Sequence, residues 1–279
     1  MSLNTLEEIA SYIVSDGKGI LAADESNPTC TKRFDTIGVE STEESRRDYR
    51  EMLFRSGGIQ GNIGGVILFD ETIRQNAKDG TSLVDLMNSQ GALPGIKVDK
   101  GLQPIGDSDE TVTVGLDGLD ERLKEYSLLG AKFTKWRAVI KIGNNLPTDN
   151  CIDANMKALA DYAKVVQDNG MVPMVEPEVL MEGDHSIEEC FTATERSLKS
   201  LFHHLKENGV NIKGTILKPN MVTSGSTCPN QASINEVAEQ TLECLKANVP
   251  SELPAITFLS GGQSELLATA HLDAMNKIG

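Results

Sequence analysis

Apolar, β-branched runs recur along the chain at intervals of roughly 25–45 residues, with helix-like stretches between them. The runs are "GILAAD" (19–24), "GGVILF" (64–69), "PGIKVD" (94–99), "KFTKWRAVIKI" (132–142), "GMVPMVEPE" (170–178), "IKGTILKPN" (212–220) and "PAITFLSGG" (254–262). They predict seven strands. Between two of them, "DANMKALADYAKVVQDNG" (153–170) places Met156, Leu159, Ala163 and Val166 on one helical face, with Asp153 as N-cap and Gly170 as stop. A second helix opens on the capping box Ser186/Glu189 and closes at Gly209. Regular alternation of this kind implies an α/β fold with a parallel sheet, either doubly wound or closed into a barrel. No linker divides residues 1–279, which read as one domain. The cluster "GGIQGNIGG" (57–65) precedes a strand and is not G-x-G-x-x-G, so it reads as a turn and not a nucleotide loop.

Side chains alternate faces along a strand. In "FTKWRAVIKI", Lys135 and Arg137 share a face with Val139, while Trp136, Ala138, Ile140 and Ile142 form an apolar face suited to packing under helices. The charged face therefore points into a barrel or cleft. Other strands repeat the arrangement: Ile20, Ala22 and Asp24; Lys97 and Asp99; Met174, Glu176 and Glu178; Ile216 and Lys218; Phe258 and Ser260. In most of them the apolar residues come first and the ionisable ones gather toward the C-terminal end, the edge at which parallel α/β folds build their sites. One lysine at a strand end is ordinarily snorkelling or paired. Recurrence at equivalent places on several strands points to a shared site.

Lys218 interrupts the apolar run "KGTILKPNMV" (213–222). An apolar setting, with Lys135 and Arg137 across the same cavity, predicts an amine of lowered pKa. A neutral lysine attacks carbonyls and forms a Schiff base, an electron sink that lets a neighbouring C–C bond break or form. Glu176 and Glu178 are placed to shuttle the proton that dehydration requires, and Asp24 to take one from a substrate hydroxyl. Ser260, Gly261 and Gly262 follow a strand and precede a helix-like stretch, which suits a phosphate.

The composition narrows the partners. The 279 residues carry a net charge of −15 with no basic block, which argues against nucleic acid and anionic membrane surfaces. No apolar run approaches the ~20 residues of a membrane span, and the N-terminus lacks signal or transit features. Five scattered cysteines without C-x-x-C read as thiols of a cytoplasmic protein, and four histidines without zinc spacing imply no metal site.

The motifs "GILAADES" (19–26), "PGIKVDKG" (94–101), "KWR" (135–137), "VPMVEPE" (172–178), "ILKPNMV" (216–222) and "FLSGGQSE" (258–265) together strongly resemble class I fructose-bisphosphate aldolase, in order and spacing, over essentially the whole chain. The resemblance implies a (β/α)8 TIM barrel and reversible cleavage of fructose 1,6-bisphosphate to dihydroxyacetone phosphate and glyceraldehyde 3-phosphate. It implies Lys218 as the Schiff-base lysine, Glu176 as the main acid/base with Lys135 and Glu178 as partners, and Asp24 at the C–C bond. It further implies that Ser26, Thr29, Arg33, Lys97, Arg137 and the Ser260, Gly261, Gly262 loop hold substrate hydroxyls and phosphates. No metal or other cofactor is implied; a homotetramer is.

Two departures stand out. "NPTC" (27–30) replaces a small glycine-containing loop, and the chain stops at "AMNKIG". The resemblance implies an eighth strand with a phosphate-clamping glycine and arginine, then a tail ending in tyrosine. The expectation is therefore a partial form of a longer aldolase, an incomplete barrel with exposed edges, poor solubility and weak turnover. The alternatives are another Schiff-base aldolase of the transaldolase or deoxyribose-phosphate type, and a catalytically impaired form acting as a binding or scaffold protein.

Overall fold

The computed structural model describes residues 3–278. In chain order its elements are α1 (Leu6–Val14), β1 (Gly19–Ala23), α2 (Asn27–Asp35), α3 (Glu43–Phe54), β2 (Ile63–Leu68), α4 (Asp70–Ile73), α5 (Leu83–Ser89), β3 (Leu93–Lys97), β4 (Leu102–Pro104), β5 (Thr111–Thr113), α6 (Leu119–Leu128), β6 (Phe133–Ile140), α7 (Asp149–Asp168), β7 (Val172–Val179), α8 (Ile187–Glu207), β8 (Ile216–Leu217), α9 (Ile234–Asn248), β9 (Ala255–Ile256) and α10 (Glu265–Ile278).

Seven strands pair side by side in the order β1-β2-β3-β6-β7-β8-β9. Every pairing in that sheet is parallel. The sheet curls, because side chains from all seven strands meet on one concave face. Ile67, Phe133, Val172, Met174, Ile216 and Ala255 form a buried cluster there, joined by Ile20 and Leu93. Helix α1 plugs the bottom of the curl with Ile9, Ala10 and Ile13. Its start is fixed by a capping box between Thr5 and Glu8. The result is an open (β/α) barrel of seven strands, an incomplete TIM barrel.

The convex face is covered by helices over a larger core that includes Trp136, Ala138 and Ile140. This is the apolar face expected of "FTKWRAVIKI". Fully burying a side chain of this size contributes roughly 1.5–3 kcal/mol. Tyr162 of α7 ties β6 to β7 within that layer: its hydroxyl lies 2.5 Å from Thr134 Oγ1 and donates to the Met174 carbonyl at 3.3 Å.

Glycine is required where α1 crosses β2. A Cβ at Gly64 would stand 1.9 Å from the Ile13 carbonyl oxygen, and one at Gly65 would stand 2.9 Å from the Phe133 ring. The last three residues of "GGIQGNIGG" thus belong to the strand and the first six to the turn.

Three expectations are corrected. Helix α7 begins earlier than Asp153, with Thr148 as N-cap accepting from the Cys151 N–H. The run 212–220 keeps only two residues of strand, because Ile212–Gly214 form a 3-10 turn before it. The antiparallel hairpin β4–β5 was not expected. Among the described residues no helix is long and apolar enough to cross a membrane.

Candidate active site

The ionisable residues lie past the apolar plug, within β6 and β7 and at or just beyond the C-terminal ends of β1, β3 and β8. Lys135 and Arg137 project from β6, and Glu176 and Glu178 from β7, on the face that holds Phe133, Val172 and Met174 lower down. Lys218 follows β8 and is held by its backbone N–H, which donates to the Val175 carbonyl at 2.8 Å. Asp24 follows the last residue of β1.

Four of these side chains form a continuous chain of charge contacts. Asp24 Oδ2 lies 2.9 Å from Lys135 Nζ. Lys135 Nζ lies 3.2 Å from Glu176 Oε2, and Glu176 Oε1 lies 3.2 Å from Lys218 Nζ. All four are largely buried, with side chains 4–12 % exposed. Glu176 Oε2, although 3.2 Å from Lys135 Nζ, accepts no hydrogen bond among the described residues.

Burial works against the charge of Asp24, yet Lys135, by charge and hydrogen bond, and Lys218 behind it hold the carboxyl below the ordinary aspartate range. Burial also opposes the Lys135 ammonium, but Glu176, Asp24 and Asp99 outweigh it and raise the group above its ordinary value. Lys135 is therefore a fixed cation between two carboxylates. The nearest charged partner of Lys218 is the Glu176 carboxylate, whereas Lys135 and Arg137, the cations expected across the cavity, are each paired with carboxylates of their own.

Glu178, expected beside Glu176 in proton transfer, pairs with Arg137. Lys97 pairs with Asp99 and donates to its backbone carbonyl at 3.2 Å.

Two cavities open onto this network. One, of about 1010 Å³, is lined by Lys218, Glu178 and the loop Ser260–Gly262. The other, of about 860 Å³, is lined by Asp24, Ser26, Thr29, Lys97 and Lys135. Arg137 and Glu176 line both. The site is thus two-ended, with the charge chain between the lobes and a cationic or hydroxyl-bearing set in each. Gly261 and Gly262 take φ of +63° and +94°, conformations open to glycine, as their loop turns toward α10. Ser26 Oγ and Thr29 Oγ1 lie 3.0 Å apart at the start of α2. Strand pairing ends at Ile256, so Phe258 and Ser260 lie in the loop; Phe258 packs against the outer core and Ser260 is exposed.

Arg33 stands apart. It lines neither cavity, its side chain is 59 % exposed, and it is held by Glu25. Arg50 meets Glu25 next to Asp24, and Arg46 forms a bidentate pair with Glu71; none of these four was singled out from sequence. "EESRRDYREM" reads as an exposed, charge-laced helix, and nothing in its spacing marks Arg50 as buried. Among the described residues no group of three or more His, Cys, Asp or Glu could hold a metal ion.

Residues 5–279 match the family model of fructose-bisphosphate aldolase class-I. A probable fructose-bisphosphate aldolase class 1 of Xanthomonas campestris is 55 % identical over 280 residues, covering 100 % of this chain and 84 % of that protein. Fructose-bisphosphate aldolase 1 of Toxoplasma gondii is 50 % identical over 278 residues, covering 98 % of this chain and 76 % of that protein. The solved structure of fructose-bisphosphate aldolase from Plasmodium falciparum, in complex with TRAP and a small-molecule inhibitor, superposes with a TM-score of 0.96 at 47 % identity, over 98 % of this chain and 80 % of that one.

Proposed function

The chain belongs to the class I fructose-bisphosphate aldolase family, and we propose that it cleaves fructose 1,6-bisphosphate reversibly through a Schiff base on Lys218. One observation carries this most: a single buried carboxylate, Glu176, touches both Lys218 and Lys135 at 3.2 Å.

Lys218 passes a proton to the Glu176 carboxylate beside it, the freed amine attacks the C2 ketone of the open-chain sugar, and Glu176 returns that proton as the carbinolamine hydroxyl leaves as water. The iminium then accepts the electron pair of the C3–C4 bond. Asp24 takes the C4 hydroxyl proton as that bond breaks, releasing glyceraldehyde 3-phosphate and leaving an enamine. Protonation at C3 and hydrolysis return dihydroxyacetone phosphate and the free lysine. Lys135, held charged, keeps Asp24 and Glu176 from repelling each other and steadies both. Lys97, Ser26 and Thr29 in one lobe, and the Ser260–Gly262 loop in the other, take the two phosphates, with Arg137 between them. Arg33 reaches the substrate only by leaving Glu25.

A substrate panel tests this reading. Cleavage of the bisphosphate, unaffected by a chelator, supports it. Cleavage of monophosphate sugars alone would favour a transaldolase or deoxyribose-phosphate type of activity instead.

The same reading makes the protein a cytoplasmic homo-oligomer, a tetramer by family resemblance. Free thiols at all five cysteines and exposed apolar side chains such as Leu128, at 90 %, and Leu266, at 80 %, support it. Sedimentation of the purified chain gives the subunit number; a monomer at micromolar concentration would count against assembly.

A further inference from the structure

A second buried cation lies behind the charge chain, unused by the mechanism above. Arg50, on α3, is 0 % exposed. A charge so placed is strongly destabilising without partners. Its Nη2 donates to the Glu25 carbonyl oxygen at 2.8 Å and to Glu25 Oε2 at 3.4 Å. Its Nε donates to the Ala23 carbonyl oxygen at 3.4 Å. These two carbonyls flank Asp24.

The sheet does not hold that stretch. Pairing between β1 and β2 ends at Ala23↔Leu68. Lys135 and Glu176 sit inside a ladder, opposite Met174 and Arg137, and Lys218 is tied by its own N–H to Val175. Lys218 and Asp24 both lie past the last strand pair, but among the described residues only Lys218 is tied back to a neighbouring strand by a backbone hydrogen bond. A planar guanidinium reaching in from α3 instead bonds the carbonyls on both sides of Asp24. The Glu25 side chain reinforces the grip: Oε2 meets Arg50, while Oε1 takes Arg33 and the Tyr49 hydroxyl, the latter at 3.3 Å.

We propose that Arg50 is a positioning residue for Asp24. By holding the carbonyls on both sides, it sets the Asp24 carboxylate against Lys135 and at the substrate hydroxyl whose proton leaves with the C–C bond. It touches no reacting atom. The role rests on Asp24 being that proton acceptor, as proposed above.

The test uses Arg50→Lys, which keeps the buried charge but replaces the fork by a point donor, and Arg50→Gln, which has no charge to bury. Each is compared with Asp24→Asn and with the double variants in three measurements. These are single-turnover cleavage of fructose 1,6-bisphosphate with enzyme in excess, borohydride trapping of dihydroxyacetone phosphate on Lys218, and thermal unfolding. At least one Arg50 variant unfolds cooperatively, traps to the wild-type extent and cleaves about tenfold to a hundredfold more slowly, as misplacement of a reacting group by up to about 1 Å costs. The same substitution adds no further loss on the Asp24→Asn background. Trapping and cleavage that fall together, or an undiminished loss on the Asp24→Asn background, would overturn the role. Full cleavage by Asp24→Asn alone would instead overturn the assignment of Asp24.

Discussion

Lys135 Nζ lies 2.9 Å from Asp24 Oδ2 and joins the interior of β6 to the first residue beyond β1. The sheet order places β2 and β3 between these two strands. The pair therefore spans the concave face instead of running along neighbouring strands, which only a curled sheet permits. It also gathers the carboxylates: with Glu176 on its other side, Lys135 is the cation that makes two buried anions tolerable at close range.

Replacing that cation should be costly to both stability and chemistry. Lys135→Met leaves Asp24 and Glu176 buried without their shared partner, and it should destabilise the fold by about 3 kcal/mol at neutral pH. Cleavage should slow by about a hundredfold or more, because the proton-transfer groups lose their charge state. Urea unfolding and steady-state kinetics on the same preparation check both; a variant of wild-type stability would show that the ion pairs are not holding the site.

The two charged groups bound the pH range of the fold. The folded-state pKa of Asp24 is depressed, so its stabilisation is present above the unfolded value of about 3.9 and is lost as pH falls through the lower folded value. That of Lys135 is raised, so its stabilisation is present below about 10.4 and is lost as pH rises through the higher folded value. The stability gap between wild type and Asp24→Asn should close as acid is added below about pH 4. The gap between wild type and Lys135→Met should close only at strongly alkaline pH. Urea midpoints across the range measure both, and a gap that widened in acid would reverse the sign assigned to Asp24.

The floor of the barrel depends on a missing side chain. A Cβ at Gly64 would meet the Ile13 carbonyl oxygen at 1.9 Å, while one at Gly57 would meet nothing within 4 Å. Gly64→Ala should destabilise by about 3 kcal/mol or more, and Gly57→Ala by less than about 0.5 kcal/mol. Equal unfolding midpoints for the two variants would mean that α1 does not sit against β2.

Two lobes predict a split in kinetic effects. Lys97 lines the lobe that holds Asp24, and Lys218 lines the other. Lys97→Met should raise KM for the bisphosphate by about tenfold or more while changing kcat less, as loss of uniform binding does. A fall in kcat with KM unchanged would place Lys97 in the chemistry instead.

Much of this was legible in the chain. Period-two alternation with a charged C-terminal end placed Lys135, Arg137, Glu176 and Glu178 on one face, because long parallel strands keep strict alternation over eight residues. The capping box at Ser186 marked α8 because its two side-chain bonds are local. What was not legible depends on distant partners. β8 and β9 keep two residues each, since most of their backbone turns into loops around the site. The hairpin β4–β5 is short, with β4 exposed, and it docks through the buried Thr113 of β5, whose hydroxyl donates to the Arg137 carbonyl at 2.7 Å, a contact that no local pattern encodes. Arg50 reads as a surface residue until α3 is packed against the end of β1.

The most direct measurement is borohydride trapping with dihydroxyacetone phosphate, read by peptide mass, on the wild-type chain and on Lys218→Arg. The account predicts one reduced adduct, on Lys218, in the wild type. In the variant, which keeps the charge but has no nucleophilic amine, it predicts no adduct and a loss of bisphosphate cleavage on the order of ten-thousandfold. An adduct on another lysine, or cleavage by Lys218→Arg at the wild-type rate, would contradict it.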